Sequence, residues 1–207
     1  MPRETLQPLQ TPTVNIAGRA IGPSHPPFIV AELSANHGGS FERAVRIIDG
    51  AAQAGAHAIK FQAYTADSLT LDSDKENFVI RGDTLWTGKR LHSLYAEAAT
   101  PYEWFPDLFA HCRMLGIIPF ASPFDAHAVQ MLSLLDAPAF KIASFEAVDF
   151  ELIAECAATG KPLIISTGLC SLEEIEEAVY TAQTSGAKEI ILLHCNSSYP
   201  ARPEEAH

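Results

Sequence analysis

Six short apolar runs punctuate the chain, at residues 28–34, 57–63, 117–123, 139–144, 162–167 and 190–195. Each is rich in the aliphatic and aromatic residues that favour strands, and each ends in polar side chains. The first, Phe28-Ile29-Val30-Ala31, stops at Glu32 and is followed by Asn36, His37, Gly38 and Gly39. Between most of the runs the apolar spacing changes to that of a helix. Ala44, Val45, Ile48, Ala51 and Ala52 line one face of a helix predicted over 41–54. Ser171, followed by Glu173, Glu174, Glu176 and Glu177, predicts a capped helix start that complements the helix dipole. Strand starts at 28, 57, 117, 139, 162 and 190 are separated by 29, 60, 22, 23 and 28 residues. The shorter spacings suit one strand plus one helix, the repeat of a parallel sheet covered on both faces.

Two architectures share that repeat, the doubly wound sheet and the (β/α)8 TIM barrel. No GxGxxG or GxxxxGK[ST] loop follows any run, which counts against the nucleotide-binding doubly wound fold. Polar residues at the C-terminal end of every run favour the barrel, whose active site gathers such ends. About six β/α units are visible, so an incomplete barrel is expected over 28–207. Residues 1–27 form a lead-in, with five prolines by residue 26 and a possible hairpin from Val14 to Ile21. The 60-residue spacing holds a polar insertion after the second strand. The helix that follows it is expected over 101–115, with Thr100 as N-cap and Pro101 as its first residue.

Hydrophobic residues make up 47% of the 207, enough for a sizeable core. Fourteen cations against 25 carboxylates leave a net charge of −11, which argues against nucleic acid or an anionic membrane as partner. Cys112, Cys156, Cys170 and Cys195 form no CxxC pair and are expected as reduced thiols packed like small hydrophobes. No signal sequence or membrane-length apolar run is visible, so a cytoplasmic protein is expected.

Two lysines, Lys60 and Lys141, sit inside otherwise apolar strands. A buried lysine needs a partner. Each could pair with a core carboxylate such as Glu32 or Glu146. Together with the hydroxyls of Ser122, Ser144 and Ser166 they could instead form a dry cradle for a phosphate or carboxylate, the reading favoured here. His37 is expected to be structural, since no nucleophile signature accompanies it. His194 and Cys195, adjacent on a strand, would point to opposite faces and so make a poor metal pair.

The runs AELSANHGGS, IKFQAY, FASPFD, FKIASFE, LIISTG and LLHCNSSYP, in this order, resemble the sialic acid synthase family. That family condenses phosphoenolpyruvate with an amino-sugar to make nine-carbon 2-keto sugar acids. The stretch LWTGKRLHSLYAEAATP resembles its pseudaminic acid synthase branch, whose acceptor is a 2,4-diacetamido-2,4,6-trideoxy-altrose. The resemblance implies that Lys60, Ser122, Lys141, Ser144 and Ser166 hold phosphoenolpyruvate. Ser197 stands where a related branch has a phosphate-contacting asparagine. The resemblance also implies that Glu32, Gln62 and Tyr199 face the sugar, with Glu32 as the catalytic carboxylate. Asp83 falls near a sugar-binding asparagine of the N-acetylneuraminate branch. A divalent metal, usually Mn2+, is implied on two histidines in motifs that would follow residue 207, and so on none of the residues here. A C-terminal antifreeze-like domain and a homodimer are implied for the full-length protein. Three alternatives stand beside this reading: an N-acetylneuraminate or legionaminic acid synthase; an inactive fragment or sugar/phosphate-binding module; and a synthase taking a phosphorylated acceptor, with Lys75, Arg81, Lys89 and Arg90 for the second phosphate.

Overall fold

The computed structural model describes residues 13–82, 85–198 and 201–205. Along the chain lie β1 (Val14–Ile16), β2 (Arg19–Ile21), β3 (Val30–Glu32), α1 (Phe41–Gln53), β4 (Ala58–Ala63), α2 (Ala66–Leu69), α3 (Leu91–Ala98), α4 (Phe105–Met114), β5 (Ile118–Pro123), α5 (Ala126–Leu134), β6 (Phe140–Ile142), α6 (Phe150–Ala158), β7 (Leu163–Ser166), α7 (Leu172–Thr184) and β8 (Ile190–Leu193). They divide into two compact units, one spanning Ile29–Asp136 and the other joining the segment up to Phe28 with residues from Ala137 onward.

In the first unit β3, β4 and β5 pair in parallel, with Glu32 beside Lys60, Lys60 beside Phe120 and Gln62 beside Ser122. Side chains alternate across a strand, so register decides which residues share a face. Glu32, Lys60, Gln62 and Ser122 therefore stand on one face of this ladder. Phe61 stands on the other and packs against Phe105 and Phe109 of α4, ring centres 6.0 and 5.5 Å away. All three rings are completely buried. The polar face is thus held by an aromatic core behind it, where each ring contributes on the order of 2–3 kcal/mol of burial.

The second unit repeats the device. β6, β7 and β8 are parallel, with Lys141 beside Ile164 and Ser166 beside Leu193. Lys141, Ile164 and Ser166 share a face and keep 7% exposure each, whereas Ile142, Leu163 and Ile165 on the other face have none. β1 and β2 form an antiparallel hairpin through Ala17 and Gly18, both left-handed. The hairpin is tied to the strand region by the Asn15 N–H, which donates to Glu189 Oε1 at 2.9 Å.

Among the expected boundaries that shift, the ends of the first and last strands of the repeat do so for a local reason. β3 ends at Glu32 rather than at residue 34, because Leu33 and Ser34 both turn their N–H groups to the Lys60 carbonyl and Ser34 is left-handed. β8 ends at Leu193, where Thr167 donates both its N–H and its hydroxyl to the Leu193 carbonyl. His194 and Cys195 therefore follow the strand, and the alternation argued for them does not apply.

The expected start of α4 is corrected. Pro101 caps a short 3₁₀ turn, Tyr102–Trp104, and α4 begins at Phe105 with Pro106 in its first turn, where a missing N–H costs nothing. Thr100 is instead buried, and its hydroxyl serves His37.

Ser171 and Glu174 form a reciprocal capping box at the start of α7. Ser171→Ala is expected to cost about 1 kcal/mol and lower the melting temperature by roughly 2–4 °C, measured by circular dichroism. An unchanged midpoint would show the box to be dispensable.

Candidate active site

Lys141 is the only lysine or arginine among the described residues that is buried. Its ammonium donates to Ser166 Oγ at 2.5 Å and to the Ile142 carbonyl at 2.8 Å. Two strands make this possible: β6 projects the lysine inward, and β7 ends with a hydroxyl on the same face. Both of these oxygens accept from the ammonium, which is how a charge this far from water is solvated.

Ser144, two residues beyond β6, opens a 3₁₀ turn over Phe145–Val148 but makes no capping bond with its side chain. Its hydroxyl faces Gly168, and so does that of Ser197: a methyl placed on Gly168 would lie 3.0 Å from Ser144 Oγ and 2.0 Å from Ser197 Oγ. The Cys195 Cβ is 3.1 Å from the same point. Lys141, Ser144, Ser166, Cys195 and Ser197 thus gather around the end of β7. Partial burial pushes the Cys195 thiol up. Hydrogen bonds from Ser166, the Thr167 backbone and Ser144, with the Lys141 charge, outweigh burial and hold it below its ordinary value. The other three thiols move the opposite way. Burial raises Cys112 to about 12, and raises Cys156 and Cys170 as well. The expectation that all four cysteines pack as small hydrophobes holds for Cys112 and Cys156, which are fully buried, and fails for Cys195.

Glu146 feels the Lys141 charge. Burial, the largest effect, raises its carboxyl, while Lys141 works against the rise. Its Oε2 is enclosed and has no hydrogen-bond partner. A carboxyl in that setting ionises less readily than one in water.

The first unit holds a separate set. Lys60 reaches Glu32 at 3.2 Å, so for this lysine the pairing weighed against the anion cradle is the one present. The lysine side chain is 12% exposed and the glutamate 59%, which leaves the carboxylate open to a ligand. Ser122 is buried and Gln62 half-buried on the same face. Asp83 and Tyr199 lie outside the described residues.

His37, as expected, is structural. It is fully buried beside Trp104. Its Nδ1 accepts from the Gly39 N–H at 3.1 Å, so Nε2 carries the proton and donates to Thr100 Oγ1 at 3.0 Å. Asn36 closes the same turn by donating to the Leu33 carbonyl. Among the described residues no three His, Cys, Asp or Glu side chains come together in a way that would hold a metal ion. The implied divalent cation does not fit these residues.

A family model described as the NeuB family matches residues 47–207. The chain belongs to the NeuB family. It is 46% identical over 178 residues to a pseudaminic acid synthase of Campylobacter jejuni, which covers 86% of this chain and 52% of that protein. It is 41% identical over 182 residues to the pseudaminic acid synthase of Helicobacter pylori, covering 88% and 53%. The crystal structure of N-acetylneuraminic acid (sialic acid) synthetase from Leptospira borgpetersenii, in complex with citrate, matches with a TM-score of 0.82 at 34% identity, over 94% of this chain and 63% of that one. These likenesses bear out both the sialic acid synthase resemblance and the α/β barrel class. The chain spans about half the length of the curated relatives it matches.

Sequence reasoning missed Gly168 and Cys195. The signal for Gly168 was a glycine directly after a strand end bearing Ser166 and Thr167.

Two outcomes are expected. Iodoacetamide should label Cys195 first among the four thiols, as read by peptide mass spectrometry; earlier labelling of Cys170 would contradict the cluster. For His37, burial and the Arg43 charge hold the imidazole below its ordinary value of 6.5. The unfolded chain therefore binds the proton more readily than the folded one. Stability is intact above about pH 6.5 and falls as pH drops below it. Melting temperature between pH 7.5 and 5.5 should show this loss, and His37→Gln should reduce it while lowering stability at both ends.

Proposed function

We propose that the intact protein is a phosphoenolpyruvate-dependent synthase of the pseudaminic acid type, joining the three-carbon donor to a diacetamido-trideoxy-altrose. The observation that supports it is the buried Lys141 ammonium, solvated by Ser166 and a carbonyl, with two further serine hydroxyls at the end of β7. Such a group is suited to a phosphate or carboxylate that must shed its water.

In the proposed reaction the donor's methylene carbon attacks the open-chain sugar aldehyde, forming the new C–C bond. Water then adds to the cationic carbon that remains. Inorganic phosphate departs as that carbon becomes the ketone; of the water's two protons, one ends on the former aldehyde oxygen, now a hydroxyl, and the other on the phosphate. Lys141, Ser144, Ser166 and Ser197 would hold the donor's charged groups, with Lys60 and Ser122 as further donor contacts. Glu32, exposed and paired with Lys60, would position the sugar or accept a proton, with Gln62, Asp83 and Tyr199 as further sugar contacts. Glu146 would exchange a proton with the departing phosphate or the incoming water. The expected divalent cation, Mn2+ by preference, would take its ligands from residues other than those described. A homodimer working in the cytoplasm belongs to the same reading.

A phosphorylated acceptor fits less well. Residues 64–100 carry six carboxylates against four cations. Arg81 is paired with Glu76, Lys89 with Glu97 and Arg90 with Asp72. No surplus of positive charge remains there for a second phosphate.

The test is phosphate release by the intact protein from phosphoenolpyruvate with each candidate acceptor. The altrose derivative should support turnover, and N-acetylmannosamine and phosphorylated sugars should not. Lys141→Ala should weaken donor binding by about 100-fold, the loss of a charge-assisted pair from a buried site, and leave acceptor binding within about twofold. Unchanged donor affinity in that variant would refute the assignment.

A further inference from the structure

Three backbone observations converge beside β7. Gly168 has an ordinary backbone conformation, so it is not a glycine for the sake of its φ angle. It is a glycine because there is no room: a Cβ would sit 2.0 Å from Ser197 Oγ, far inside van der Waals contact, and only 3.0 Å from Ser144 Oγ. On one side of it Leu169 is left-handed, φ 70°, in a turn closed by the Cys170 N–H donating to the Thr167 carbonyl at 3.3 Å. On the other Ser197 is also left-handed, φ 57°. Non-glycine residues avoid that conformation, and when they hold it the surroundings impose it. A serine kept in a disfavoured conformation, with its hydroxyl pressed over a glycine, has been placed there by its neighbours.

We propose that Gly168 is a positioning residue for the anionic donor: its missing side chain lets the loop after β8 close onto β7, so that Ser197 adds its hydroxyl to those of Ser144 and Ser166 around Lys141. Gly168 touches no substrate itself. It acts through Ser197, and the strain at Ser197 is the cost of aiming that hydroxyl. The proposal rests on the donor-site reading given under Proposed function. It goes beyond that reading by assigning the β7 turn a role and by tying donor affinity to strain in the loop after β8.

Two opposed expectations follow for Ser197→Gly. Glycine adopts a φ near 57° without strain, so the folded protein should melt no lower than wild type. Loss of the hydroxyl should weaken phosphoenolpyruvate binding about tenfold, the value of one hydrogen bond to a charged group. Gly168→Ala should weaken donor binding at least as much and lower the melting temperature, because the Cβ drives Ser197 away. In the Gly168→Ala/Ser197→Gly double variant the 2.0 Å clash is gone, and the milder contacts with Ser144 Oγ and the Cys195 Cβ remain. Its melting temperature should recover toward wild type, while its donor affinity stays at the level of Ser197→Gly. A residue that only shaped the fold would let affinity recover with stability.

The experiment is isothermal titration of the intact protein and these three variants with phosphoenolpyruvate and with inorganic phosphate, alongside thermal melts. Protection of Cys195 from iodoacetamide by each anion provides a second readout at the same cluster. Donor binding by Ser197→Gly or by the double variant as tight as wild type overturns the inference. Should Gly168→Ala fail to fold, Ser197→Gly decides alone. A wild-type protein that binds neither anion overturns the donor-site reading, and this inference with it.

Discussion

The burial of Lys141 is the constraint on which the candidate site depends. An ammonium nine-tenths removed from water must find oxygen atoms, and the fold supplies them at fixed places, one carbonyl from its own strand and one hydroxyl from the next. Parallel pairing puts Ser166 on the lysine's face, and a register slip by one residue would turn it away. The strands are therefore constrained twice, once by their apolar side against the helices and once by the need to solvate a charge. The thiol of Cys195 and the carboxyl of Glu146 both feel it, and each sits where burial and that charge oppose one another.

The first unit handles its lysine differently. Lys60 meets a true counter-ion, Glu32, but at the rim, where the glutamate is largely exposed. An ion pair there is screened and contributes little to stability. What it provides is an oriented carboxylate on the polar face of the ladder, backed by the Phe61, Phe105 and Phe109 core. The two lysines that look alike in sequence thus have different settings, one buried against Ser166 and a backbone carbonyl and one at a water-facing pair.

Much of this was legible in the chain. Apolar runs ending in polar groups gave the parallel β/α repeat, since strands covered on both faces must be apolar and chemistry can then sit only at their ends. The helix starting at Ser171 was legible because a capping box is a local device. Thr100 was misread for the complementary reason. Its neighbour Pro101 mimics a helix start, but the hydroxyl is claimed by His37, 63 residues away, and no local pattern records that contact. Cys195 was misread likewise, because its polar surroundings come from Ser144 and Ser166 on two other segments.

The sequence by itself determined the class of fold, the family and the residues able to carry charge, because periodicity and strand-end chemistry are written along one dimension. Tertiary structure alone decided which lysine is buried, which thiol is held below its ordinary value and which side chains crowd residue 168. Those depend on distances between segments far apart in the chain. Solvation of a buried charge and the volume of a single methyl group are settled only when the strands stand side by side.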